Sequence, residues 1–171
     1  MSAPEPTPRV VLAQPLTALA FAPYGDLIAP GEAGREINFG TTQRFDDVAR
    51  LDVEEQDGRA CVALFRTDAQ THRAPYALRA FERHCLGSQS FIPLGASRCL
   101  AVLAGSGDTP DEAAIVAFMI EPGQGVTLRR GVWHHPLITV GAADVLVIER
   151  AAASEDCQVM AMDTRVEVRL G

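Results

Sequence analysis

Punctuation is the feature of this chain that most restricts its fold. Short β-branched or alternating segments recur from one end to the other, at 9–13, 26–29, 60–67, 76–84, 88–93, 98–104, 115–120, 125–128, 136–140, 144–149 and 166–170. Gly, Pro, Asp or Ser separates them. Short strands at roughly 8–12-residue intervals predict an all-β sandwich or barrel. Helix signals are few. Residues 17–22 predict a short helix. Thr109-Pro110-Asp111-Glu112 sets an N-cap, a Pro at the first helical position and a capping-box Glu in register, which predicts one helical turn. A length of 171 residues, with no repeat and no linker, predicts a single domain over 1–171, with the Pro-rich residues 1–8 as a flexible tail.

Composition removes several function classes. The formal net charge is −7, which disfavours a protein that gains affinity by neutralising phosphate or anionic lipid, so neither nucleic acid nor membrane is an expected partner. All 15 basic residues are Arg; without Lys there is no Schiff-base chemistry, no pyridoxal phosphate attachment and no P-loop. No G-x-G-x-x-G follows a strand, and G-x-S-x-G and H-E-x-x-H are missing, so no nucleotide or organic cofactor is expected. The four cysteines are scattered and form no C-x-x-C pair, which fits core thiols in a reducing compartment. The first residues lack a basic region before their apolar run, so a cytoplasmic location is expected.

Two blocks can carry chemistry. In Ala80-Phe81-Glu82-Arg83-His84-Cys85-Leu86-Gly87-Ser88-Gln89, strand alternation puts Glu82 and His84 on one face and Phe81, Arg83 and Cys85 on the other. A turn containing Gly87 could return Gln89 close to His84. Glu, His and Gln together in an apolar interior are costly unless they bond one another or hold a ligand or metal. The second block, Gly123 to Leu137, holds His134-His135, of which alternation lets only one face inward. Trp133 reads as core packing with an indole N–H partner, and His72 as a loop residue.

These blocks resemble the paired motifs of the cupin superfamily. The first motif of that family runs His-x-His, then three or four residues, then Glu; here it reads Glu82-x-His84-x4-Gln89. The second, Gly-x5-Pro-x-Gly-x2-His, reads Gly123-x5-Arg129-x-Gly131-x2-His134. Spacing is kept while Glu82, Gln89 and Arg129 replace His, Glu and Pro. More narrowly, the run Phe81 to Pro93, the run Gly131 to Leu137, Ala22-Pro23-Tyr24-Gly25-Asp26, Ile37-Asn38, Ile148-Glu149-Arg150 and Asp156-Cys157 resemble the ureidoglycolate lyase family over almost the whole chain. The resemblance implies a cupin-like double-stranded β-helix (jelly-roll) barrel, a homodimer, and cleavage of (S)-ureidoglycolate to glyoxylate and urea in allantoin breakdown. Nickel is the divalent metal it suggests.

On that reading Glu82, His84 and His134 are the expected catalytic residues, and the same three with Gln89 are the expected metal ligands. Gln89 can equally satisfy substrate or backbone, and His135 reads as structural. The substrate is a carboxylate, which Arg binds in a bidentate fork, so Arg66 and Arg44 are expected to contact it, with Asn38 a candidate for its amide or hydroxyl. Two alternatives stay open: an amidohydrolase that releases ammonia from the same compound, and a non-catalytic cupin that binds a small carboxylate.

Overall fold

The computed structural model describes residues 7–69 and 73–171; residues 1–6 of the expected tail, and His72, lie outside the described residues. In chain order the elements are β1 (Arg9–Pro15), α1 (Ala18–Phe21), β2 (Gly25–Ile28), β3 (Arg35–Ile37), β4 (Thr42–Arg44), β5 (Arg59–Thr67), β6 (Tyr76–Ala77), β7 (Ala80–His84) and β8 (Gln89–Pro93). They continue with β9 (Cys99–Leu103), β10 (Val116–Ile120), β11 (Gly125–Leu128), β12 (Ile138–Thr139), β13 (Ala143–Ala151), β14 (Cys157–Ala161) and β15 (Val166–Arg169).

Two sheets form the barrel, one ordered β12-β9-β10-β1-β15-β6 and the other β2-β11-β8-β13-β5, with β14-β7 and β3-β4 as two-stranded additions. The expected all-β jelly-roll is the architecture found. Phe91, Val126, Leu128, Val145 and Val147 of the second sheet pack with Ala101, Leu103, Phe118 and Ile120 of the first in one core between the sheets. A second core, built on Phe81, Leu100, Val102, Trp133, Val166 and Val168, covers the other face of the first sheet. All five residues of β9 are buried because alternate side chains enter the two cores.

Local chemistry explains the short helices. The Thr17 hydroxyl accepts from the Ala20 N–H and caps α1. The turn expected at Thr109 starts later, at Glu112–Ala114, and Asp111 is its cap, accepting from the Ala113 and Ala114 N–H groups. Glu112 is drawn elsewhere, to the backbone N–H groups of Asp163 and Thr164 and the Thr164 hydroxyl. Strands β3, β4 and β14 were not expected from the sequence. β3 and β4 have three residues each, β14 is almost wholly exposed, and each is held by one antiparallel partner.

Candidate active site

Backbone pairing brings the two motifs together. Gly131, at φ +81°, occupies the left-handed conformation that glycine tolerates best, and its N–H donates to the His84 carbonyl at 2.7 Å. Three residues on, the N–H groups of Glu82 and His134 each donate to the other's carbonyl, at 2.8 and 2.9 Å. Residues paired this way in an antiparallel ladder project side chains to the same face. Glu82, His84 and His134 therefore share the barrel interior, whereas Phe81, Arg83 and Trp133 turn to the second core. There the Arg83 guanidinium lies 4.5 Å over the Trp133 ring, and the Trp133 indole N–H donates to the Gly107 carbonyl. His135 stacks edge-on against Phe81, away from the cluster.

One ligand atom from each of Glu82, His84 and His134 lies within 4.8 Å of the others. Gln89 reaches in from the facing sheet, with its Oε1 3.1 Å from His134 Nε2, while Glu82 Oε1 stands 3.5 Å from the same nitrogen. The other nitrogen of His134, Nδ1, meets the Val132 carbonyl at 2.9 Å. His84 turns Nδ1 toward Asp156 Oδ1 at 3.5 Å, and its Nε2 is buried without a hydrogen-bond partner among the described residues. A neutral imidazole that donates from Nδ1 presents a lone pair at Nε2. With His84 and His134 both neutral and protonated at Nδ1, two imidazole lone pairs, a carboxylate and an amide oxygen would converge on a cation; without one, the His134 Nε2–H is the donor that the Gln89 amide oxygen accepts. Burial works to raise the Glu82 pKa, but the hydrogen bond from His134 and the positive charge that His134, His84 and His135 carry when protonated outweigh this and hold the carboxyl below its usual range.

This donor set fits a divalent metal. Imidazole nitrogens and a carboxylate suit nickel, zinc or manganese, and the orphaned His84 Nε2 is the atom such an ion would satisfy. Asp156 at Nδ1 of His84, itself held by the Leu86 N–H at 2.7 Å, is the partner that fixes ring orientation in metal sites.

A cavity of about 320 Å³ opens beside the cluster, lined by His84, Glu149, Arg150, Asp156, Cys157 and the loop between β13 and β14. It lies at the small end of ligand pockets, roughly 300–1,000 Å³. Gly87 allows its wall to close, because a Cβ there would come 2.5 Å from Arg150 Cβ. Glu149, Glu155 and Asp156 make this an acidic chamber, and the Cys157 thiol, whose pKa burial and the neighbouring carboxylates raise, stands 4.0 Å from Glu82 Oε2.

Three expected contacts are not found here. Arg66 lies opposite Asp144 near the start of β13, on the outward face of the sheet, whereas Glu149 points inward near its end. Its guanidinium is committed to Asp144 in a bidentate pair at 2.7 and 2.8 Å. Arg44 pairs with Asp46 at 2.6 Å. Asn38 is the exposed turn residue between β3 and β4, at φ +52°, and donates to the Thr42 hydroxyl. None of the three lines the cavity. Conversely, Glu149 and Asp156 enter the site without having been singled out by sequence reasoning; the only signal for them was their place in the blocks that carry the family resemblance.

A family model described as ureidoglycolate lyase matches residues 8–169. A ureidoglycolate lyase of Pseudomonas entomophila is 41% identical over 151 residues, covering 87% of this chain and 89% of that protein. One of Burkholderia mallei is 45% identical over 139 residues, 80% of each. Among solved structures, oxalate decarboxylase of Bacillus subtilis aligns with a TM-score of 0.35 at 14% identity; 79% of this chain is covered, and the chain spans 35% of that protein's length.

Proposed function

The chain belongs to the ureidoglycolate lyase family, and from that membership we propose that the cluster of Glu82, His84, Gln89 and His134 cleaves ureidoglycolate to glyoxylate and urea. The observation that carries this reading is the convergence of carboxylate, imidazole and amide groups from two distant segments at the edge of a small cavity. Glu82, His84, Gln89 and His134 would hold a divalent metal, nickel by family resemblance. Bound there, it would supply Lewis acidity to the substrate's oxygens and offset the charge that an anionic substrate meets among Glu82, Glu149 and Asp156.

Ureidoglycolate carries a carboxylate, a hydroxyl and a ureido nitrogen on one carbon. Losing urea moves one proton from that hydroxyl to that nitrogen, and no water enters. Glu82 can do both halves. Its Oε2, on the side of Cys157 and the cavity, takes the hydroxyl proton, and the resulting acid returns it to the ureido nitrogen as the carbon–nitrogen bond breaks. The oxygen's electron pair becomes the C=O of glyoxylate, and the bonding pair leaves with urea. His84 and His134 hold position beside it, fixed through Nδ1 by Asp156 and by the Val132 carbonyl.

We also propose a homodimer formed through the outer face of the second sheet. Val62 and Leu64 of edge strand β5 are 65% and 53% exposed and pair in register with Ile148 and Leu146, giving an apolar strip of the kind monomers seldom leave bare. The free cysteines support a cytoplasmic location. The test of the function is to strip metal from purified protein, restore nickel, manganese or zinc separately, and assay urea, glyoxylate and ammonia. Urea and glyoxylate restored by one metal support the reading; ammonia as the nitrogen product, or binding without turnover under every condition, overturns it.

A further inference from the structure

Glu149 is inward-facing, half-buried where the cavity meets the cluster, and unused by the chemistry above. Its position follows from register. Val147 pairs with Phe91 and Ile148 with Ser90, so one step further Glu149 stands across from Gln89, both on the core face. There Gln89 Nε2 donates to Glu149 Oε2 at 2.8 Å, while Gln89 Oε1 lies 3.1 Å from His134 Nε2. An amide is two-ended: one end donates and the other accepts, and the two are nearly the same size. A carboxylate only accepts, so it takes the NH₂ end. We propose that Glu149 is a positioning residue that aligns the Gln89 amide, so that oxygen and not NH₂ faces the cluster.

The consequence is chemical. An amide oxygen can ligate a cation, and an amide NH₂ cannot. Without Glu149 the amide can turn over and put its NH₂ against His134 Nε2, satisfying that lone pair with a hydrogen bond and removing it, together with the oxygen, from the donor set. The inference rests on the metal reading of the cluster, but its structural half, the fixed amide, can be tested without metal.

Two measurements on the full chain test it. The first is calorimetric titration with nickel or manganese of wild type, Glu149→Gln, Glu149→Ala, Gln89→Ala and the double variant Glu149→Ala/Gln89→Ala. Loss of an outer partner of this kind weakens metal binding by about 10–100-fold, and that is expected for both single Glu149 variants. In the Gln89→Ala background, Glu149→Ala should cost little more, because the residue acts through Gln89. A full, additive loss in that background, or unchanged affinity in the single variants, overturns the proposal. The second is side-chain amide NMR of the metal-free protein. The Gln89 NH₂ protons should be separated and slow to exchange in wild type, and collapse toward free-amide behaviour in Glu149→Ala, with isosteric Glu149→Gln as the folded control. Unmoved Gln89 signals in Glu149→Ala overturn the proposal. If wild type binds no metal, it is the metal reading that fails, and the amide signals alone then decide the role of Glu149.

Discussion

Glu82 and His134 exchange two backbone hydrogen bonds, at 2.8 and 2.9 Å, although 51 positions separate them, and this pairing aims Glu82 Oε1 and His134 Nε2 at one another across 3.5 Å. The sheet itself therefore fixes the spacing of the reactive pair. Glu82→Gln keeps the shape and both backbone bonds but removes the proton acceptor. General acid–base groups contribute about 100–10,000-fold, so turnover should fall by at least the lower figure while the melting temperature stays near that of wild type. Steady-state glyoxylate release and a thermal melt check both halves.

His84 is oriented by Asp156, whose other oxygen is anchored by the Leu86 N–H. Asp156→Asn weakens the acceptor at Nδ1 and should reduce metal affinity by about 10–100-fold, with a smaller effect on the fold than on binding. Equilibrium dialysis against nickel measures it.

The face-sharing of Glu82 and His84 was legible in the sequence, because strand alternation is a local property; the meeting of the two motifs was legible only through the family resemblance. Glu149 and Asp156 were not. Each joins the site through a non-local partner, β8 for Glu149 and β7 for Cys157 beside Asp156, and the sequence contains no local signal for either register. Arg66 shows the same limit from the other side. Its chemistry suits a carboxylate, but its strand phase, set by pairing with Asp144, turns it outward. Glu112 had the spacing of a capping box, yet the Thr164 turn offered it three donors, and Asp111 took the cap.

That Glu112 contact sets an acid limit. Burial tends to raise its pKa, but hydrogen bonds from Thr164 and Asp163 and the charge of Arg9 lower it overall. A carboxyl with a lowered folded pKa adds stability above its unfolded value, near 4.3, and loses it as pH falls through the folded value. Glu112→Gln should therefore be less stable than wild type at neutral pH, with the difference shrinking below about pH 4. Urea unfolding curves across that range provide the check; a difference that grows on acidification would be the wrong sign.

Gly87 packs against Arg150 so closely that an added Cβ would lie 2.5 Å from Arg150 Cβ. Gly87→Ala should cost about 1–3 kcal/mol through overpacking and disturb the cavity wall that Arg150 forms. Chemical denaturation reads the first effect, and the KM for ureidoglycolate the second.

On the outer sheet face, Leu64→Glu should convert a dimer to monomer at micromolar concentration without loss of secondary structure, because it adds charge to the strip of Val62, Leu64, Leu146 and Ile148. Sedimentation velocity distinguishes the two states, and a wild type that sediments as a monomer removes the proposed interface.

The most direct measurement follows ¹³C- and ¹⁵N-labelled ureidoglycolate by NMR with metal-loaded wild type and, in parallel, Glu82→Gln. Equal amounts of glyoxylate and intact urea from the wild type, with no ammonia, and a rate lowered at least about 100-fold in the variant, are expected. Labelled ammonia from the wild type, or a variant that turns over at the wild-type rate, contradicts a lyase centred on Glu82.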